Sequence, residues 1–184
     1  MKKTPKRKRR NVASFLLVCL ILSIFVIAYW KEEQKIDQQQ DTPMPTELHE
    51  TVANKRDELI SLAADKGINI VITADFRSSE EQDKLYAQGR TASGDVVTNA
   101  KGGESYHNYG LAIDFALMNL NGEVIWDMDY DGNGNAKSDW SEVVEIAKSL
   151  GFEWGGDWRS FKDYPHFQMD FGLSIKELQN GERP

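Results

Sequence analysis

One cysteine in 184 residues is the first scarcity of this chain. Cys19 lies in an apolar N-terminal run, so disulfides contribute nothing to the fold and no thiolate is available to hold a metal in the globular part. Histidine is nearly as rare: His49, His107 and His166 are the full set of three. Basic charge is short where it would matter for a polyanion. Residues 46–184 carry 13 Lys/Arg against 25 Asp/Glu, so this part does not grip nucleic-acid phosphates by charge. It has no basic stripe or base-stacking motif either, and nucleic acid is excluded as a partner. No internal repeat is visible, and the length suits one domain with a real core, expected to be a monomer.

Positive charge and long apolar runs occur together at one place. Lys2, Lys3, Lys6, Arg7, Lys8, Arg9 and Arg10 precede an uncharged run from Val12 to Trp30. Nineteen helical residues span roughly 28 Å, close to the hydrocarbon thickness of a bilayer. The charge asymmetry assigns residues 1–11 to the cytoplasm, 12–30 to a transmembrane signal-anchor, and the rest of the chain to the outside. Tyr29 and Trp30 fit an interfacial belt. The competing reading is a signal peptide cleaved near Val26-Ile27-Ala28, which would release the domain to the cell wall. A lipid anchor at Cys19 is disfavoured, because Leu16-Leu17-Val18 lacks the small residue expected before such a cysteine. Residues 31–45 are polar and Gln-rich and read as a linker.

Residues 46–170 form the expected domain. A helix opens at Thr46 and closes at Gly67, and Ile68 to Phe76 reads as a buried strand that delivers Arg77. Ser78 or Ser79 caps a short helix through Gln88. Residues 90–104 read as a loop over a site entrance. Leu111, Ile113, Phe115 and Leu117 alternate with Ala112, Asp114 and Ala116, which is the period of a strand. A turn at Asn119–Gly122 leads into a second strand, Glu123 to Trp126. A helix from Ser138 or Asp139, then short strands at Phe152–Trp154 and His166–Met169, complete the order. The C-terminal tail is 171–184, and from Leu173 it reads as a frayed helix. This order predicts an α+β domain with helices packed on a small, largely antiparallel sheet.

Each histidine taken alone is more often a hydrogen-bonded core residue than a ligand, and His49 reads as a solvated helical residue. His107 and His166 differ in standing at strand edges. With Asp114, which sits between two alanines, they make a His/Asp/His set. Three protein ligands with a vacant fourth position suit a catalytic zinc, and the mixed N/O donors rank zinc above copper or iron. Spacing alone leaves ligand and core roles both open.

The stretch Ser105-x-His107-x-x-Gly110-x-Ala112-x-Asp114 resembles the signature of the LAS metallopeptidases, which cut cell-wall peptides. Asp163-Tyr164-Pro165-His166-Phe167 is similar to their second motif. Phe76-Arg77-Ser78, Gly102-Gly103-Glu104-Ser105 and Trp154-Gly155-Gly156-Asp157-Trp158 resemble most the L-alanyl-D-glutamate endopeptidases of the CwlK type. The resemblance covers about Pro43 to Met169. It implies the LAS/hedgehog-type fold, one Zn2+ per chain on His107, Asp114 and His166, Asp163 as general base and then acid, and peptidoglycan stem peptides as substrate. Arg77 would hold the carbonyl oxygen as it becomes negative. Glu153 is a rival base. Ser105 either contacts substrate or orients a ligand, and Gln82 and Trp154 are candidate pocket residues. A D-alanyl-D-alanine carboxypeptidase and a non-catalytic zinc-containing wall-binding or signalling module are the alternatives.

A second ion has a weaker basis. Asp129, Asp131, Asn133 and Asn135 alternate around Gly134, with Asp139 further on, as donors do in a Ca2+ loop. Trp140 stands where a bidentate Glu belongs, so a solvated acidic turn is the other reading.

Overall fold

The apolar run near the N-terminus is helical, as its composition requires. α1 spans Lys8–Gln40, in a computed structural model that describes residues 8–40 and 42–184. Lys2, Lys3, Lys6 and Arg7, from the expected cytoplasmic segment, lie outside the described residues. The stretch Ser14–Lys31 is long and apolar enough to cross a membrane, and its side chains stand exposed. The polar stretch expected to be a linker continues the helix through Gln40. Its Lys, Glu and Gln residues are good helix formers, and a helix already nucleated propagates through them.

Residues 43–184 form a separate compact unit. α2 (Glu50–Asp65) begins four residues later than Thr46, because His49 is its N-cap: the His49 Nδ1 accepts from the Thr51 N–H at 3.3 Å. His49 is thus a half-buried cap, not a solvated helical residue, and its own N–H donates to the Gly110 carbonyl at 2.9 Å. Val52, Leu59 and Ala63, spaced for one helical face, go into the core. Gly67, in the left-handed region at φ 76°, turns the chain into β1 (Asn69–Ala74). α3 (Ser79–Ala87) follows, with Ser78 and Glu81 closing a capping box.

β2 (Ala112–Met118) is the central strand. It pairs antiparallel with β1 on one side and with β5 (His166–Gln168) on the other, and its end pairs with β3 (Val124–Ile125). β4 (Glu153–Trp154) completes the sheet on the far edge of β5. Both faces of β2 are covered: Ile113, Phe115 and Leu117 are buried, and so are Ala112 and Ala116. Phe115 stacks on Phe167 of β5 with centroids 4.9 Å apart and rings 13° from parallel. α4 (Asp139–Ser149), N-capped by Ser138, adds Trp140, Val143 and Ala147 to the same core.

The tail is not frayed. α5 (Ile175–Gln179) is closed by a Ser174/Glu177 capping box, and Leu178 is 1% exposed inside the core. Tyr106 donates its hydroxyl to the Leu173 carbonyl at 2.9 Å, and Gln179 Nε2 donates to the Gly103 carbonyl at 3.1 Å. One apolar side chain in the core is worth about 1.5–3 kcal/mol, enough to keep so short a helix in place.

Candidate metal centre and catalytic site

Strand register brings the first two groups together. Asp114 of β2 pairs directly with His166 of β5, and opposed side chains on antiparallel strands are nearest neighbours. His107 arrives from a 3-10 turn, Tyr106–Tyr109, whose end must bend sharply back into β2. Gly110 supplies that bend in the left-handed region at φ 67°, and a Cβ there would collide with the Glu47 carbonyl. His107 Nε2 lies 3.2 Å and His166 Nδ1 3.1 Å from the same Asp114 Oδ1. One ligand atom from each of the three residues lies within 4.8 Å of the others. Corners of a tetrahedron about 2.0–2.1 Å from zinc stand roughly 3.3–3.4 Å apart, and Asp114 Oδ1 stands at about that spacing from each imidazole nitrogen.

The imidazoles are prepared for that role. His107 Nδ1 lies 2.7 Å from the Asp75 carbonyl, which can only accept. Nδ1 therefore carries a proton, and Nε2, 3.2 Å from Asp114 Oδ1, is the nitrogen left to ligate. Burial alone would raise the Asp114 pKa, but hydrogen bonds and charge from His107 and His166 outweigh it and hold the carboxyl well below the usual range. Burial pushes the His166 imidazole down, and the hydrogen bond and charge of Asp114 more than reverse this, so its pKa ends raised.

The cluster opens into a cavity of about 840 Å³ whose walls include Arg77, Ser105, Asp163 and Trp158. Asp163 is positioned by backbone: its N–H donates to the Gly155 carbonyl at 3.2 Å, and a Cβ on Gly155 would strike the Asp163 carbonyl. Burial, followed by repulsion from Asp114, raises the Asp163 pKa, partly offset by the two histidines. Asp163 lines the cavity together with His166. Arg77 lies in the same wall, its Nη1 donating to Gln82 Oε1 at 2.9 Å. Ser105 caps the 3-10 turn: its hydroxyl oxygen accepts from the His107 N–H at 3.3 Å while the residue lines the cavity.

Two expected pocket residues lie elsewhere. Gln82 is fully buried behind Arg77, with Nε2 donating to the Ala100 carbonyl at 2.8 Å. It holds Arg77 and the 98–100 loop and is not among the cavity walls. Trp154 is turned away because its ring covers Gly156 and its Nε1 donates to the Tyr164 carbonyl at 2.7 Å. Trp158, across the 3-10 turn Gly155–Asp157, takes the cavity position and packs on the His166 ring at 5.2 Å. Glu153, the rival base, is absent from the cavity walls and accepts from Gln168 Nε2 at 3.1 Å. Asn108 was missed by the sequence reading. Its Oδ1 accepts from the Gly103 N–H at 2.9 Å, and its Nδ2 donates to the Arg77 carbonyl at 2.9 Å, joining two walls of the site.

In the acidic loop the side chains are engaged locally. Asp131 accepts from the Asn135 and Ala136 N–H groups, and Asn135 from the Lys137 N–H. Asp139 accepts from the Gly132 N–H. The Lys66 ammonium lies 3.0 Å from Glu142, which Asn133 and Asn135 also contact. Among the described residues, His107, Asp114 and His166 are the one carboxylate or imidazole trio gathered closely enough for an ion. Asp129 joins no such trio.

The peptidoglycan L-alanyl-D-glutamate endopeptidase CwlK of Bacillus subtilis (strain 168) is 55% identical over 161 residues, spanning 85% of this chain and 95% of that protein. The chain belongs to the CwlK-type endopeptidase family. An L-alanyl-D-glutamate peptidase of Listeria phage A118 is 34% identical over 114 residues, 62% of this chain but 35% of the phage protein. A family profile described as D-alanyl-D-alanine carboxypeptidase matches residues 98–169. That match takes in His107, Asp114, His166 and Asp163 and leaves out Arg77, Gln82 and α5. At the level of fold, the solved LD-carboxypeptidase LdcB aligns with a TM-score of 0.50 at 16% identity, over 77% of this chain and 76% of that one. The CwlK-type chain thus has the fold expected of it, helices on a small antiparallel sheet.

Proposed function

We propose that this chain is a zinc-dependent peptidoglycan hydrolase that cleaves the L-Ala–D-Glu bond of stem peptides. The observation that carries this reading is the meeting, in one cavity, of the His107/Asp114/His166 cluster with Asp163 and Arg77. The relative spanning nearly its full length supplies the substrate class. Zinc, when bound there, polarises a carbonyl and makes a water acidic near neutral pH. Asp163 takes the proton of the attacking water and returns it to the departing amine. Arg77, braced by Gln82, holds the carbonyl oxygen as negative charge builds on it. Ser105 holds the turn that carries His107. The reaction breaks one amide and leaves a carboxylate and an amine.

A D-alanyl-D-alanine carboxypeptidase is the second reading, favoured by the description of the profile that matches residues 98–169. Mass spectrometry of purified peptidoglycan digested with residues 43–184, with and without a chelator, separates the two. New muramyl–L-Ala ends that disappear with the chelator are expected. Free D-Ala as the only product would replace the endopeptidase with the carboxypeptidase.

In the same reading α1 is a single-pass anchor that keeps a monomeric catalytic domain outside the cytoplasm, against the wall it cuts. In the acidic loop Asp131, Asn135 and Asp139 form the turns that lead into α4.

A further inference from the structure

From His166 a chain of hydrogen bonds runs through Gln168, which shares the cavity wall with it, to the exposed Glu153. His166 Nε2 lies 3.1 Å from Gln168 Oε1, and Gln168 Nε2 lies 3.1 Å from Glu153 Oε2. Register explains the spacing: Glu153 of β4 pairs with Gln168 of β5, and His166 is two residues along the same face of β5. His166 and Gln168 are buried, whereas Glu153 is exposed.

The chemistry of the three groups allows one arrangement. An ionised carboxylate only accepts, so the Gln168 atom facing Glu153 is its NH2 nitrogen. The Gln168 carbonyl oxygen must then face His166, and an amide oxygen also only accepts. A proton of His166 is therefore held on Nε2, and Nδ1, 3.1 Å from Asp114 Oδ1, is the nitrogen left to give up its proton to a metal. Reverse the amide and the NH2 group would demand the Nε2 lone pair. That would move the proton to Nδ1 and remove it as a ligand.

We propose that Glu153 is a positioning residue for the metal site: acting through Gln168, it selects the His166 tautomer that can ligate through Nδ1. The proposal rests on the reading of His166 as a metal ligand. It gives Glu153 a role different from that of a rival base, and it makes the two histidines complementary. His107 is fixed by a backbone carbonyl to bind through Nε2, and His166 by a side-chain relay to bind through Nδ1.

Zn2+ affinity, measured by competition with a chromophoric chelator, tests this in the full chain and four variants. Glu153→Gln and Glu153→Met remove the same charge, but only the first keeps an acceptor for Gln168. Glu153→Gln should therefore stay within about twofold of the parent, and Glu153→Met should bind about three- to tenfold more weakly. Gln168→Met should lose about 10- to 100-fold, the usual effect of removing a group that orients a ligand. Long-range 1H–15N spectra of the zinc-loaded chain should show His166 protonated on Nε2. Equal affinities for Glu153→Gln and Glu153→Met, or a proton on Nδ1, would overturn the proposal. His166→Ala separates the two levels: if it binds Zn2+ as tightly as the parent, the ligand assignment itself is wrong. If it loses the metal while both Glu153 variants match the parent, only the relay is wrong.

Discussion

His166 and Asp114 hold opposite charges against each other in a buried setting, and this makes the metal-free protein sensitive to pH. The raised His166 pKa adds stability that is complete below the unfolded value of 6.5 and disappears as pH rises through the folded value. The lowered Asp114 pKa adds stability that is present above the unfolded value of 3.8 and disappears as pH falls through the folded value. Asp163 works the other way, since its raised pKa makes ionisation in the folded state costly as pH climbs past 3.8. Melting curves in EDTA should give a lower midpoint at about pH 8.5 than at about pH 6, where the imidazolium is intact. A midpoint that rises over that interval would mean the pair does not stabilise the empty site. Asp163 offers a second test. Asp163→Asn should retain Zn2+ but lower hydrolysis by about 10²–10⁴-fold, the usual contribution of a general base. Near-parental turnover would remove Asp163 from the reaction.

Some elements were legible in the chain and others were not, for identifiable reasons. β2 could be read because its residues alternate strictly, and the start of α3 could be read to within one residue from Ser78 and Ser79. The beginning of α2 could not, because a histidine outside the usual Ser, Thr, Asp and Asn set performs the capping. Trp154 and Trp158 flank the Gly155–Asp157 turn, and which of them faces the cavity depends on how that turn winds, not on any periodicity. Gln82 looked like a pocket residue, but its place behind Arg77 depends on a loop that packs over it from residues 98–100. A helix in the tail was expected but its docking was not, because Leu173, Ile175 and Leu178 form too short a stretch to show a pattern. Truncation tests its weight: Leu178→Ala should destabilise the domain by about 2–5 kcal/mol in denaturant melts, as buried leucines do. A change below about 0.5 kcal/mol would return the tail to the status of an appendage.

At the scale of the whole molecule, an acidic domain follows a helix long and apolar enough to span a bilayer. The proposed anchor makes a definite statement about processing. In cells producing the full chain, the protein should sediment with membranes, resist extraction by salt and dissolve in detergent, and peptide mapping should recover sequence N-terminal to Ala28. A soluble protein whose first residue lies just after Ala28 would establish cleavage and a freely diffusing enzyme. The acidic surface adds a consequence for salt: wall polymers that carry negative charge repel the domain, so digestion of intact walls should be faster at moderate ionic strength than at low.

The pairing of β2 with β5 also sets a schedule. Asp114 and His166 are 52 positions apart, and neither can grip a cation until the later strand has zipped onto the earlier one. A growing or threading polypeptide that has not yet delivered its last fifth is therefore harmless to whatever compartment it passes through. The blade is assembled only once the chain has arrived.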